Sequence, residues 1–209
     1  MLKHNYITAF CSIKAGKISI NGVVDYSETE TTSAIDFLKS AYKYYQLIYP
    51  KFYKMDKLCK LAFIASELLF KTNKITEIYN KEDIAIIIAN SASSLEIDTE
   101  HQTTISDKNN YFPSPTIFVY TLPNILIGEI AIRNNIKGEN TFFIFDKFDA
   151  DFMGSYINSL LNSNKAQCCI TGWVDFYENK YEAFIYIVEK QPRVVSIEHT
   201  SENLNKLFN

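Results

Sequence analysis

Residues 140–161 read NTFFIFDKFDADFMGSYINSLL, and this short stretch combines three structural patterns. The uncharged, aromatic-rich run Thr141–Phe145 predicts a buried strand. A polar turn, Asp146–Asp149, follows it, and the apolar spacing of the residues beyond predicts an amphipathic helix. In many α/β enzymes such a turn contains a nucleophile, because the N-terminus of a helix stabilises negative charge. The turn is therefore the first place to look for an active site.

The composition bounds the class of protein. The chain has 209 residues, enough for one domain with a substantial core. Hydrophobic residues make up 47% and aromatic residues 14%, which excludes a disordered chain. The net charge is −3 with both signs mixed along the sequence, so we expect no nucleic-acid partner. No apolar run reaches the roughly 18 residues of a membrane span, and the N-terminal residues lack a signal-peptide pattern, so we expect a cytoplasmic protein.

Neither the cysteines nor the glycines indicate a bound metal or cofactor. The four cysteines fit no zinc-binding pattern, and we expect buried, reduced thiols at Cys11, Cys59, Cys168 and Cys169. The six glycines are scattered singly, so the sequence has no Gly-rich loop for a phosphate group. We therefore expect no cofactor and no metal site.

Apolar periodicity outlines the first helix and the first buried strand after it. The segment MDKLCKLAFIASELLFKT, residues 55–72, has apolar residues at helical spacing, and Asp56 stands at its start, where a carboxylate favours a helix. The run Ile84–Ser91 is continuously apolar and predicts a strand covered on both faces. Residues 93–115 are polar, and we expect a long loop that could be functional.

The second half of the chain adds a helix and a hairpin. Residues 121–137 predict a helix with Thr121 as its cap and Pro123 in its first turn, and Gly128 within it indicates close approach by another backbone. Residues 167–176 and 181–190 predict two strands joined by a tight turn. Strands that alternate with helices predict an α/β fold, with a mostly parallel, mixed sheet and helices on both faces. The final hairpin supplies one antiparallel strand.

Several segments of this sequence resemble segments of the N-terminal half of the β-ketoacyl-acyl-carrier-protein synthases, and their order along the chain agrees with that family. The resemblance runs from about Tyr6 to Lys190 and includes an Asn-x-x-x-Gly helix, the entry into the nucleophile strand, a helix after a basic-Met-Asp motif, and a strand ending in a Gly-Gly-x-Asp-like turn. The matching residues are Asn124, Gly128, Gly138-Glu139-Asn140, Lys54-Met55-Asp56, Gly172, Trp173 and Asp175. Lysine replaces the family's arginine at Lys54, and Trp173 departs from the Gly-Gly pattern.

The resemblance implies half of a thiolase-like fold, a five-stranded mixed sheet with helices on both faces. Residues 1–190 would form the ketosynthase-like N-terminal domain, and residues 191–209 a C-terminal extension packing on it. The short proteins of this branch that contain only the N-terminal domain are associated with fatty-acid-like and pigment-type polyene biosynthesis on acyl carrier protein.

The catalytic groups of that family are missing from the matching positions. The family uses a cysteine thiolate at the helix N-terminus, and the family pattern places it at Lys147, within one residue. The turn Asp146, Lys147, Phe148 and Asp149 has neither cysteine nor serine. Lysine could act as a nucleophile if it were desolvated, but the flanking carboxylates favour its charged form. We therefore expect a degenerate nucleophile turn and no catalytic residue.

The family's two catalytic imidazoles are also unmatched. They lie in a second half of the fold, and the histidines of this sequence, His4, His101 and His199, stand in no matching context. We expect all three to be surface residues.

Three functions fit these observations. The first is a non-catalytic subunit like a chain-length factor, a homodimer or a heterodimer with an active ketosynthase that meets acyl carrier protein indirectly. Its interface with the partner would be Thr141, Phe142, Phe143, Ile144 and Phe145, although an ordinary core strand has the same pattern. The residues that help to wall the partner's acyl pocket would be Thr121, Pro123, Asn124 and Ile127. The second is a 3-oxoacyl-acyl-carrier-protein synthase-type acyltransferase whose active site is completed by another chain. The third is a small-molecule-binding α/β module, which a cleft at the carboxyl ends of the strands would favour.

Overall fold

A computed structural model describes residues 4–28, 33–109, 111–194 and 196–209. Eight strands are found in these residues: β1 (Tyr6–Lys14), β2 (Lys17–Ile20), β3 (Val23–Ser27), β4 (Ile84–Asn90), β5 (Asn140–Ile144), β6 (Cys168–Tyr177), β7 (Lys180–Glu189) and β8 (Ile197–Glu198). The α-helices are α1 (Ala34–Tyr44), α2 (Lys57–Asn73), α3 (Ile75–Ile78), α4 (Leu95–Ile105), α5 (Pro115–Val119), α6 (Ile125–Asn134), α7 (Ala150–Asn162) and α8 (Ser201–Phe208).

All strands belong to one mixed sheet in the order β3-β2-β1-β7-β6-β4-β5, with β8 also paired to β1. β4 runs parallel to β5 and β6, whereas β7 is antiparallel to both of its neighbours, β6 and β1. Among the neighbouring strands β1, β7, β6, β4 and β5, four therefore run in one direction and β7 runs in the other. This confirms the predicted mixed α/β sheet with one reversed strand from the final hairpin.

The sheet is larger than the five strands predicted. The additional strands are β2 and β3, a hairpin that extends the sheet beyond β1, and the short strand β8. Asn21 and Gly22 both have positive φ and turn the chain between β2 and β3, as the Asn-Gly signal in the sequence indicates. Because β8 has only two residues, periodicity could not detect it.

The helix α2 lies where the apolar spacing predicts it. The Asp56 carboxylate accepts a hydrogen bond from the backbone N–H of Cys59 (3.0 Å), which caps the helix. The helix ends at Lys74, which has a left-handed conformation, with φ of 51°. Between these ends the helix is buried over most of its surface, since the sheet lies beneath it and other helices pack around it.

Alternation along β4 divides the interior into two cores. Ile84, Ile86 and Ile88 point towards α1, α2 and α6, whereas Ala85, Ile87 and Ala89 point towards α7 and α8. All seven residues of β4 are buried, which confirms the prediction of a strand covered on both faces. Helices therefore cover both faces of the sheet.

Three local predictions in the middle of the chain are wrong. Residues 93–115, predicted as a loop, contain α4 and the start of α5. The next helix begins at Ile125, after the Thr121 and Pro123 that were expected to start it. A Cβ atom at Gly128 would meet no atom within 4 Å, so no other backbone of the described residues approaches this glycine closely.

The final hairpin has the predicted form. Glu178 and Asn179 both have positive φ and connect β6 to β7 by a two-residue turn. Gly172 on β6 has φ of +149°, and a Cβ atom there would lie 1.9 Å from the carbonyl oxygen of Phe184. Only glycine fits at this crossing of two backbones.

The last residues pack onto the domain. β8 pairs with β1, and α8 packs against α7 with Leu204 fully buried. His199 lies between these elements and is 2% exposed, so its prediction as a surface residue is wrong. The division of the chain at residue 190 remains a prediction. Among the described residues, no helix is both long and apolar enough to cross a membrane.

Candidate functional site at the turn after β5

The turn between β5 and α7 has the geometry of a site at a helix N-terminus. The Asp149 carboxylate accepts a hydrogen bond from the backbone N–H of Phe152 (2.8 Å) and caps α7. Asp146 and Lys147 are exposed, whereas Phe148 is buried. The side chain that the family pattern places at the nucleophile position, Lys147, therefore points into solvent at this turn. One of the free N–H groups at the helix N-terminus is thus already bonded to a carboxylate of the chain itself.

None of the four cysteines is accessible at this turn. All four are buried and free: Cys11, Cys59, Cys168 and Cys169. Burial raises the pKa of each thiol above its ordinary value, so the reactive thiolate form is disfavoured. Within the described residues, no group of three or more His, Cys, Asp or Glu side chains could hold a metal ion.

Two open clefts meet at this turn. The first, which we call the hairpin cleft, has a volume of about 720 Å³ and lies between the turn, the residues after β4 and the β6–β7 hairpin. The second, the tail cleft, has a volume of about 820 Å³ and lies between the turn and the end of α8. The hairpin cleft is at the carboxyl ends of β4, β5 and β6, where ligands bind in many open α/β sheets.

Asp175 fixes one wall of the hairpin cleft. Its Oδ1 accepts hydrogen bonds from the backbone N–H groups of Ser91 (3.2 Å) and Ala92 (3.0 Å), and its Oδ2 accepts one from the Ser91 hydroxyl (2.6 Å). A carboxylate with three such bonds holds the chain leaving β4 against β6. This is the aspartate of the Gly-Gly-x-Asp-like turn in the sequence, and here it positions backbone.

Phe208 separates the two clefts and lines both of them. Its ring stacks on Phe148 with centroids 4.5 Å apart, and it makes an edge contact with Phe184 at 5.9 Å. The Lys14 ammonium donates a hydrogen bond to the Phe208 carbonyl (3.3 Å), which helps to fix the end of α8. Sequence reasoning missed Phe208, because nothing local connects it with a turn some 60 residues earlier.

The predicted interface strand, Thr141–Phe145, lies at the edge of the sheet. β5 pairs with β4 on one side, and no other strand of the described residues pairs with its other side. Ile144 is 54% exposed. On the α7 face of the strand, four partly exposed aromatic rings contact one another: Phe143, Phe145, Phe152 and Tyr156.

The four residues predicted to wall a partner's pocket do not line either cleft of this chain. Ile127 is buried in the core beneath α6, and the Thr121 hydroxyl donates to the Phe118 carbonyl (2.7 Å). Asn124 is exposed, and Pro123 is half-buried. Around them are the exposed apolar side chains of α5, α6 and the turn between them, namely Phe118, Val119, Leu122 and Ile132.

Solved structures share the overall fold of this chain. The ishigamide ketosynthase/chain length factor superposes with a TM-score of 0.68 at 14% identity, covering 92% of this chain and 63% of that one. The chain has the ketosynthase fold. The predicted half of a thiolase-like fold is thereby confirmed. The match extends over less than two thirds of that ketosynthase chain.

Two further ketosynthase structures are similar. One is a type II PKS acyl-carrier protein in complex with its ketosynthase bound to the hexaketide, with a TM-score of 0.65 at 12% identity, covering 90% of this chain and 62% of that one. The other is a ketosynthase in complex with its chain length factor from Xenorhabdus doucetiae, with a TM-score of 0.57 at 13% identity, covering 92% and 81%. No family model matches the sequence. No curated protein matches it either.

Proposed function

We propose that this chain is a non-catalytic, ketosynthase-like subunit that pairs with an active ketosynthase, in the manner of a chain-length factor. The observation that carries the proposal is the turn after β5: the chain has the ketosynthase fold, and Lys147, which the sequence resemblance places at the nucleophile position, is exposed there. Two of the similar structures are described as containing a chain length factor, the partner role proposed for this chain. The partner would supply the reactive thiolate and imidazoles.

The free edge of β5 supports pairing with another chain. An edge strand has unpaired backbone groups that can bond to a second strand, and long charged side chains are the usual protection against this. Thr141–Phe145 has no charge and leaves Ile144 exposed on the face of the strand opposite the aromatic rings that lie against α7. We assign the interface to this strand, with either a ketosynthase or a second copy as the partner.

The exposed apolar residues of α5 and α6 extend the same proposal. α6 packs beside β4 and β5, so a partner at the β5 edge would also reach the start of α6. Phe118, Val119, Leu122 and Ile132 would lose solvent exposure there, which is favourable for apolar surface. Thr121, Pro123, Asn124 and Ile127 would then lie next to the partner's acyl pocket.

Co-purification with a neighbouring ketosynthase tests the proposal. We expect the tagged chain to retain the ketosynthase, and the variant Ile144→Lys to lose it, because a charged side chain on an edge strand disfavours the addition of a further strand. Val23 is the matched control, since it is 69% exposed on β3 at the opposite edge of the sheet. Val23→Lys should retain the partner. A wild-type chain that remains monomeric and retains no ketosynthase would contradict the proposal.

An acylation assay separates this subunit from an acyltransferase completed by another chain. The purified complex is incubated with an acyl carrier protein of the fatty-acid or polyene type that bears a mass-tagged acyl group. The mass of each chain is then measured by mass spectrometry. The proposal expects the acyl group on the ketosynthase alone. An acyl group on this chain would favour the second function.

The hairpin cleft favours a second candidate, a small-molecule-binding module. Its volume of about 720 Å³ lies within the range of roughly 300–1,000 Å³ that is usual for ligand sites. Trp173, the one tryptophan of the sequence, lines this cleft and is an intrinsic fluorescent reporter. A saturable fluorescence change on titration with acyl thioesters, in a chain that binds no ketosynthase, would favour this candidate.

A further inference from the structure

A separate cavity of about 240 Å³ lies on the opposite face of the sheet from the turn after β5. It is enclosed by α2, α4, α5 and the segment before α2. Ile97 and Met55 form buried walls, whereas Lys54, Glu100 and Thr116 are exposed at its rim. The cavity is therefore small, partly apolar and open to solvent.

Lys60 of α2 lines this cavity although it is only 6% exposed. Its ammonium nitrogen donates to the Met55 carbonyl and lies 5.8 Å from the centroid of the Phe52 ring. Burial lowers the pKa of Lys60, against the opposing effect of the Asp56 carboxylate. A buried amine bonded to a neutral carbonyl has a larger uncharged fraction than a surface lysine.

Two of the three carboxylates that line the cavity, those of Asp56 and Glu96, have other partners. Asp56 caps α2 by accepting from the Cys59 N–H (3.0 Å). Glu96 accepts from the Lys57 ammonium (2.5 Å) and from the Glu178 N–H (3.0 Å). Neither of these carboxylates forms a close ion pair with Lys60 in the described contacts.

We propose that Lys60 is a nucleophilic lysine that forms an imine with a small aldehyde or ketone bound in this cavity. The Nζ lone pair of the uncharged amine attacks the carbonyl carbon, and one N–H proton moves to the carbonyl oxygen to give a carbinolamine. The second N–H proton and the hydroxyl then leave as water, which forms the C=N bond, so the step needs no oxidant or reductant. The size of the cavity restricts the ligand to a few carbon atoms.

Reductive trapping tests this proposal directly. The folded protein is incubated with butanal and sodium cyanoborohydride, and the modified lysines are located by peptide mass spectrometry. We expect Lys60 to be alkylated about tenfold faster than Lys147, an exposed lysine in the same chain. Lys60→Met should remove this fast adduct and leave the slow labelling of Lys147 unchanged.

The pH profile and an unfolded control make the outcome independent of any variant. Charged groups face Lys60 from several elements, namely Lys39, Lys54, Asp56, Lys57, Glu96 and Glu100. The labelling rate of Lys60 should rise at a lower pH than that of Lys147, and the difference should vanish in urea. Labelling of Lys60 no faster than Lys147, or only after unfolding, would overturn the proposal.

Discussion

Lowering the pH should destabilise this protein through His199. Its Nδ1 is 2.9 Å from the Asn158 carbonyl oxygen Oδ1, which makes Nδ1 the protonated nitrogen of the neutral ring. Its Nε2 is buried without a hydrogen-bond partner among the described residues, and the Tyr186 ring lies 5.8 Å away. A proton added at Nε2 would therefore place an uncompensated charge in the core.

The size of the effect follows from the two pKa values. Burial lowers the pKa of His199 from 6.5 to about 4. The unfolded chain binds the proton first, so the free energy of unfolding falls as the pH decreases from about 6.5 to 4. Between pH 7.5 and pH 5 this one group should reduce the free energy of unfolding by about 2 kcal/mol.

Urea unfolding followed by Trp173 fluorescence measures this change, because Trp173 is 4% exposed in the folded chain. His199→Asn keeps a donor near the position of Nδ1 and removes the titrating ring. The variant should lose about 2 kcal/mol less than the wild type between the two pH values. Groups that titrate in both proteins cancel in this difference.

His4 provides the matched control, since its side chain is 51% exposed and pairs with Glu198 at the surface. His4→Gln should show the acid destabilisation of the wild type. If the free energy of unfolding had the same pH dependence in the wild type and in His199→Asn, the argument would be refuted, because protonation of the buried ring would then not contribute to stability.

Three further predictions concern the backbone and the site. Gly138→Ala should lower the free energy of unfolding by about 2–3 kcal/mol in urea denaturation, since the added Cβ would lie 2.2 Å from the carbonyl oxygen of Ile84. At Gly128 an added Cβ meets no atom within 4 Å, so Gly128→Ala should raise the free energy of unfolding by up to about 1 kcal/mol. Equal effects would contradict this reasoning. Phe208→Ala removes the ring stacked on Phe148, so thermal melting should show about 1–2 kcal/mol of destabilisation. An apolar fluorescent probe should also bind more strongly, because the ring lines both clefts and its removal would merge them. Unchanged probe binding would argue against a separating role. Asp175→Asn should raise amide hydrogen exchange in the loop after β4 by about tenfold, since it weakens the three hydrogen bonds there, and protection equal to wild type would contradict the positioning role.

Local sequence patterns were sufficient to predict the helices and strands whose apolar residues recur at a regular spacing. The helix after Asp56, the apolar strand β4 and the strand-turn-helix of residues 140–161 lie where the sequence predicts them. α4 was missed because it is polar and buries only Ile97, so its apolar signal is weak. Helix formation there depends on packing against α5 and β6, which a local pattern does not contain.

The candidate sites show the same division. The position of the turn Asp146–Asp149 between a strand and a helix could be predicted from the sequence because the relevant residues are consecutive, whereas the loss of a nucleophile there stays a prediction. His199 and Phe208 could not be predicted, since their burial comes from contacts with α7, β1 and β7. Lys60 was also missed, because a lysine beside an apolar stripe is usually exposed, whereas α2 is enclosed on nearly every side.

The two edge strands of the sheet, β3 and β5, differ in the regularity of their pairing, and this difference affects how many copies of the chain can join. At the β3 margin the ladder to β2 is broken by a register shift between Ile18 and Ser19, which twists that rim away from a regular template. At the β5 margin the ladder is regular. If two copies pair through β5 as proposed, each free edge is used once, so assembly stops at a dimer and does not continue into a fibre. Light scattering of the chain alone should then reach a plateau at twice the subunit mass and stay there as the concentration rises.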